Sequence, residues 1–127
     1  MKKLTLAALL ALTVIAPAVA QSDWIQYEKN DTATFYLRPS SIHEVAGRKR
    51  IWNMTSRVTP NKNGDLSRIM LDEFNCDSRQ SRLIQVTYYK GKMGSGSSSF
   101  TSTGPFAWEY VIPNTVGETL LDLVCAK

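Results

Sequence analysis

The chain holds two cysteines, Cys76 near its middle and Cys125 almost at its end, and what they do decides how its C-terminus can be fastened. The answer turns on compartment, and the first residues bear on that. The chain opens "MKKLTLAALLALTVIAPAVAQ". Lys2 and Lys3 make a basic start, and Leu4 to Ile15 make an apolar core shorter than the roughly 20 residues of a membrane span. Ala18-Val19-Ala20 supplies a small-x-small cleavage site, with Gln21 as the expected mature N-terminus. Pro17 and the polar "QSDW" argue against a retained anchor, and no cysteine follows the apolar run to take a lipid. The expectation is an exported chain, periplasmic or secreted, with residues 1–20 cleaved after Ala20 and 21–127 forming one domain.

In an oxidising compartment two cysteines most often pair. Two free buried thiols, or a reactive thiol, are the alternatives the residues leave open. A bridge would close a loop of about 50 residues, worth about 4 kcal/mol at best in the chain-entropy model. A metal site is not expected, because His43 is the one histidine and no CxxC or HxxxH spacing occurs. Catalysis is not expected either. His43 beside Glu44 is the sole candidate base for a cysteine, no GxSxG occurs, and no acid pair stands out. No cofactor is implied.

The leader carries two of the 15 basic residues and none of the 11 acidic ones, which leaves 13 against 11, a mature net charge of +2. That is too small to read as a nucleic-acid signature. A domain of this length can bury one modest core, at a size where a cross-link helps.

The mature chain reads as strands first and one helix last. "DWIQYE" (23–28) and "TATFYLR" (32–38) form a hairpin about Lys29-Asn30-Asp31. "RPSSIHEVAG" reads as a connection with an irregular turn. "RKRIWNMTSRV" (48–58) is a longer strand, followed by a turn with Asn63-Gly64 at its tip. "SRIMLDEFNC" and "SRLIQVTYYKG" are two further strands. Met70, Phe74 and Cys76 share parity with Asp72, so the first of these leaves room for a bulge. "GKMGSGSSSFTSTG" (91–104) reads as a mobile hairpin loop leading to a short strand in "FAWEYVIP". Its lysine precedes the glycines, unlike a phosphate loop. Thr115 and Glu118 fit a helix capping box, after which Val116, Leu120, Leu123 and Val124 form one stripe with Cys125 at its edge. The fold expected is α+β: a meandering antiparallel sheet of about six strands, with one C-terminal helix packed on a face.

Trp24, Phe35-Tyr36, Ser41-Ile42, Gly47, Ile51-Trp52, Ser67, "EFNC", Tyr89, Gly91, Trp108, Ile112-Pro113, Glu118 and Val124-Cys125 together carry a resemblance. In that order and spacing the chain resembles the surface-adhesin protein E family of Gram-negative bacteria, small exported domains with an antiparallel sheet and a C-terminal helix. It departs at Arg38, where the family pattern carries an aspartate. The resemblance implies that Cys76 and Cys125 pair, giving a sheet-and-helix domain stapled by a disulfide. It also implies an adhesin-like binding module, since founding members bind host matrix and serum proteins such as vitronectin, laminin and plasminogen.

Three surfaces could serve binding. Arg48, Lys49 and Arg50 make a basic patch at a strand start, which Arg57, Arg68, Arg79 and Arg82 could extend. It suits an acidic protein segment, a heparin-like polymer or anionic head groups. Charges on an edge strand equally serve to block aggregation. Among the aromatics, Tyr89 and Trp108 flank the serine-rich loop and are expected to be the exposed pair. The loop itself is the third. The expected partner is an unidentified protein or acidic polymer, with no nucleic acid and no membrane span. The other reading is a soluble periplasmic accessory protein that contacts a cell-envelope partner.

Overall fold

The computed structural model describes residues 11–13 and 23–126. Most of the expected leader, with its basic start and the cleavage site after Ala20, lies outside the described residues. Eight strands form one antiparallel sheet: β1 (Ile25–Lys29), β2 (Ala33–Leu37), β3 (His43–Val45), β4 (Arg48–Arg57), β5 (Ser67–Asn75), β6 (Gln80–Tyr89), β7 (Ser98–Thr103) and β8 (Glu109–Tyr110). The spatial order is β1-β2-β4-β5-β6-β7, so the sheet is six strands wide. The two short strands fill gaps. β3 pairs the first half of β4 where β2 has ended, and β8 pairs the first residues of β6 where β7 has ended. One helix, α1 (Val116–Cys125), follows.

Local chemistry sets the turns. Between β1 and β2, Asn30 Oδ1 accepts from the backbone N–H groups of Thr32 at 2.9 Å and Ala33 at 3.0 Å, an Asx turn. Between β4 and β5 the organising residue is Asn61, whose Oδ1 accepts from the N–H groups of Asn63 and Asp65, both at 2.9 Å. The connection expected before β4 contains a single 3-10 turn, Pro39–Ser41, and then β3.

The register answers the question raised by Asp72. Leu71 pairs Gln85 and Asp72 pairs Leu83, so the extra residue is Ile84 on β6, and β5 runs without interruption. Asp72 therefore shares a face with Met70 and Phe74. That face carries the core: Leu37, Ile51 and Phe74 of the sheet meet Leu120, Leu121 and Val124 of α1, with Tyr27, Val111 and Cys125 against them.

The helix starts at Thr115, whose Oγ1 accepts from Glu118 N–H at 3.3 Å. The Glu118 carboxylate reaches one residue further back than a capping box requires, accepting from Asn114 N–H at 3.3 Å. One position of the expected stripe is wrong. Leu123 is 48% exposed, whereas Leu121 is fully buried. Tethering Cys125 to the sheet rotates the buried face towards Leu121 and away from Leu123.

The disulfide joins Cys76, just past the end of β5, to Cys125, the last residue of α1, across a sequence separation of 49 and a Cα–Cα distance of 5.7 Å. At about 1.5 Å per residue the ten-residue helix is about 15 Å long, while the ten-residue strands β4 and β6 run about 33 Å. Fastened at the Cys76 end, α1 covers roughly half of its face.

Two expectations fail here. The 91–104 segment is not a loose loop: a 3-10 turn, Lys92–Gly94, precedes edge strand β7, which pairs β6 from Tyr89 to Gln85. Two sheet serines hold the turn. Met93 N–H donates to Ser56 Oγ at 3.1 Å and Gly94 N–H to Ser67 Oγ at 2.9 Å. Gly94 is required there, since a Cβ would come 2.7 Å from Ile69 Cδ1 at a φ of +69°. Conversely, "FAWEYVIP" yields only the two residues of β8. Its other residues lie outside strand pairing, held by Phe106 N–H donating to Leu83 O at 2.9 Å and Val111 N–H to Arg79 O at 3.0 Å.

Replacing both cysteines by serine is expected to cost about 2–5 kcal/mol of unfolding free energy, the usual range for a small exported domain. Urea denaturation of the double variant measures this; a loss below about 1 kcal/mol would show that packing alone holds α1.

Candidate functional site

Strand alternation splits the Arg48-Lys49-Arg50 run between two faces. Lys49 lies on the helix side, where its Nζ donates to Val124 O at 3.3 Å. It meets the negative end of α1 and supplies a donor to a carbonyl of the last turn. Arg48 and Arg50 project from the opposite face. Arg50 Nε donates to Glu73 Oε2 at 2.5 Å, and Arg82 Nη2 lies 2.8 Å from Glu73 Oε1. The Glu73 side chain is only 1% exposed, so this carboxylate is buried between two guanidinium groups.

The cluster continues outward through an indole. The Arg82 guanidinium lies 4.5 Å from the Trp108 ring centroid and that of Arg48 lies 4.9 Å from it. Cation–π attraction of this kind is worth about 0.5–2 kcal/mol per pair, more as water is excluded. Arg48, Trp108, Arg82, Glu73 and Arg50 thus form one continuous assembly with three cations and one anion. Trp108 is half-buried in it and not exposed as its sequence position suggested. Tyr89 is half-buried too, paired between Ser67 of β5 and Ser98 of β7. The structure joins Arg48 to Trp108 but leaves Tyr89 at the other end of the sheet.

Of the four cations that could have extended the patch, Arg82 joins it, Arg57 and Arg68 lie on the helix-bearing face, and Arg79 is engaged with α1. Arg79 Nη2 reaches Asp122 at 3.0 Å and Glu118 at 3.4 Å, fastening α1. Arg38, the departure from the family pattern, pairs with Asp23 at 2.9 Å and lies 4.4 Å from the Trp24 centroid. His43 is exposed, with Nδ1 2.8 Å from Ser41 O. Both cysteines are in the bridge, and among the described residues no group of His, Cys, Asp and Glu is placed to hold a metal. No helix among them is long and apolar enough to cross a membrane.

A second feature was not readable residue by residue. On the helix side, the register aligns Phe35 with Thr55, Thr55 with Arg68, Arg68 with Tyr88, and Tyr88 with Phe100. This row crosses β2, β4, β5, β6 and β7, passing the start of α1 at its β2 end and running clear of the helix towards β7. Phe100 is 60% exposed, and its ring lies 6.3 Å from that of Tyr88. Arg68 has no hydrogen bond or ion pair among the described residues. A cavity of about 190 Å³ opens beside it, lined by Thr55, Arg57, Asn61, Asp65, Arg68 and Tyr88. A second, of about 180 Å³, runs from Arg68 under the start of α1, past Tyr27, Phe35, Asn53 and Asp72. Only alternation could have hinted at the row, and it needs the pairing register first.

Asp72 and Glu73, adjacent in sequence, face opposite ways and titrate oppositely. Burial pushes the Asp72 carboxyl up, and the hydrogen bond from Asn53 Nδ2 at 2.7 Å only partly offsets this. Burial also pushes Glu73 up, but the hydrogen bonds and charges of Arg50 and Arg82 outweigh it, and its net shift is down. A depressed carboxyl stabilises the fold above its unfolded pKa, and the gain is lost as pH falls through the folded value. A raised carboxyl does the reverse: its contribution is present below the unfolded pKa and lost as pH rises through the folded one. Glu73→Gln is therefore expected to lose about 3 kcal/mol at neutral pH, with the gap to the parent narrowing as pH falls through the depressed value. Asp72→Asn, whose amide oxygen still accepts from Asn53, should be at least as stable as the parent at neutral pH. Urea denaturation across the acid range checks both signs; parallel curves for parent and Glu73→Gln would contradict the first.

Solved structures share this architecture. Crystal form II of Haemophilus influenzae protein E superposes with a TM-score of 0.60 at 16% identity, covering 87% of this chain and 92% of that one. Protein E from non-typeable Haemophilus influenzae gives 0.55 at 15% identity, over 87% and 80%. A search of curated proteins finds no match. The sequence model for Surface-adhesin protein E matches residues 24–126, nearly the whole described domain, and the chain belongs to that family.

Proposed function

We propose that the chain is an exported, non-enzymatic binding module whose contact surface is the Arg48–Trp108–Arg82 stack. Its ligand in this reading is an acidic segment of a host matrix or serum protein, or another anionic polymer. The observation that carries the reading is three arginines held around one buried carboxylate and one indole. Such an assembly keeps positive charge in excess at fixed positions, so little side-chain entropy is lost on binding. Arg48 and Trp108 are the contact residues. Arg50 acts through Glu73, Lys49 fastens the helix, and Tyr89 is marginal. Export with cleavage after Ala20, and residues 21–127 as the folded unit, belong to the same proposal.

The choice of variant follows from the geometry. Arg50→Ala would unbalance the buried Glu73 and mix stability with binding, whereas Arg48 touches only Trp108 in the assembly. Arg48→Ala is expected to weaken binding to an immobilised panel of matrix and serum proteins about tenfold. It should also flatten the salt dependence and leave the circular dichroism unchanged. Binding indifferent to salt and to Arg48→Ala would contradict the proposal. Protease treatment of intact cells decides display: cleavage supports adhesion, and full protection supports the periplasmic accessory reading.

A further inference from the structure

The helix-bearing face holds a second assembly of polar and aromatic groups, remote from the Arg48–Trp108–Arg82 stack and on the other side of the sheet. Its centre is the cavity of about 190 Å³ at the end that α1 does not reach. Three kinds of group converge on it. Tyr88 supplies an aromatic ring, continued outward by the exposed ring of Phe100. Arg57 and Arg68 supply guanidinium groups. Arg57 uses its Nε on Thr59 O at 3.0 Å, and its two terminal nitrogens have no hydrogen bond among the described residues. Arg68, paired across the strands with Thr55 and Tyr88, points its charge to the same side. Asn61 and Asp65 supply a planar amide and a planar carboxylate at the cavity wall.

Asp65 is fixed in its ionised form. Ser99 Oγ donates to its Oδ1 at 2.7 Å and Lys90 Nζ lies 3.0 Å from the same oxygen. These bonds hold its carboxyl below the usual range. Its Oδ2 is left with one long contact, 3.5 Å, from Asn61 Nδ2. The local charge is then three cations (Arg57, Arg68 and Lys90) against one carboxylate, and the cavity favours an anion while retaining an acceptor for a neutral hydroxyl.

We propose that this cavity binds an acidic sugar unit, a uronate or sulfated hexose. The flat apolar side of the ring lies on Tyr88, the acid is held by Arg57 and Arg68, and hydroxyls bond to Asp65 and Asn61. The combination decides the ligand class. An acidic peptide side chain would use the arginines alone and leave the aromatic ring and the planar acceptor without a role. A neutral sugar would leave two guanidinium groups unused. A sugar bearing an oxyanion uses all three, and arginine's rigid fork fits a carboxylate or sulfate with two parallel bonds. A volume of about 190 Å³ accommodates one ring, not a folded chain, and the exposed Phe100 next along the row continues the platform for a neighbouring unit of a polymer.

The test is isothermal titration of the mature domain with an oligogalacturonate and with a heparin-derived hexasaccharide. A dextran oligomer and an oligoglutamate of matched length are the comparison ligands. Saturable binding of either acidic sugar, with dextran and oligoglutamate at least tenfold weaker, is the expected result, and the preferred sugar tells carboxylate from sulfate. Arg68→Gln, a change at an exposed side chain, should weaken the sugar about tenfold or more. Tyr88→Leu should weaken it while leaving residual salt-dependent binding. Arg48→Ala, on the opposite face, should leave it unchanged. Loss in Arg48→Ala with none in Arg68→Gln would overturn this site and transfer the activity to the arginine–tryptophan stack. Oligoglutamate binding as tight as the sugar, or no saturable binding of either acidic sugar, would also overturn it.

Discussion

The Cys76–Cys125 bridge is the constraint from which the rest of the molecule's surface follows. It ties the last residue of α1 to the end of β5, next to the turn into β6. Lys49 to Val124 O and Arg79 to Glu118 and Asp122 hold the same helix from the flanks, so its position does not rest on the bridge alone. A ten-residue helix fixed at one end of strands twice its length leaves the other end of the face uncovered by α1. What lies there is the row from Phe35 through Thr55, Arg68 and Tyr88 to Phe100. In a small domain the short helix supplies the core, and the uncovered half of the sheet remains available for contact.

Among the described residues no α-helix packs on the opposite face, which is organised differently. There the interior group is the Glu73 carboxylate, and removing either guanidinium would leave buried charge poorly compensated. The same requirement orders Arg82, and Arg82 in turn seats Trp108. A polar cluster with every member partnered fixes the path of the 104–110 segment, which has almost no strand pairing of its own. Towards the other end, Ser56 and Ser67 do the equivalent work for the turn before β7.

Much of this was legible in residue order. The two cysteines, the Thr115 start of the helix, the hairpin at Asn30, the turn before β5 and the alternating β4 follow from local chemistry, although that turn is organised by Asn61 and not by the Asn63-Gly64 pair that marked it. The failures share a cause. Leu123 was exchanged for Leu121 because the bridge, not the helical period, sets the rotation of α1. The 98–103 strand was hidden because serine and glycine there read as loop, while the hydroxyls that order its approach belong to Ser56 and Ser67, 37 and 27 residues from the groups they bind. Arg48, Lys49 and Arg50 looked like one patch until the pleat divided them. The Thr55–Arg68–Tyr88 row exists only once two strand registers are known. Local patterning carries elements; contacts between distant residues carry sites.

The bridge and its flanking bonds place α1 on one half of the face and leave the other half open. Hydrogen exchange followed by mass spectrometry, on the oxidised and the reduced mature domain, tests it most directly. Reduction is expected to lower protection in α1 and at the buried ends of β4 and β5 around Ile51 and Phe74. Exchange across the Thr55–Arg68–Tyr88 end of the sheet should stay as it was. Unchanged protection in α1, or an equal loss across both ends of the sheet, would contradict it.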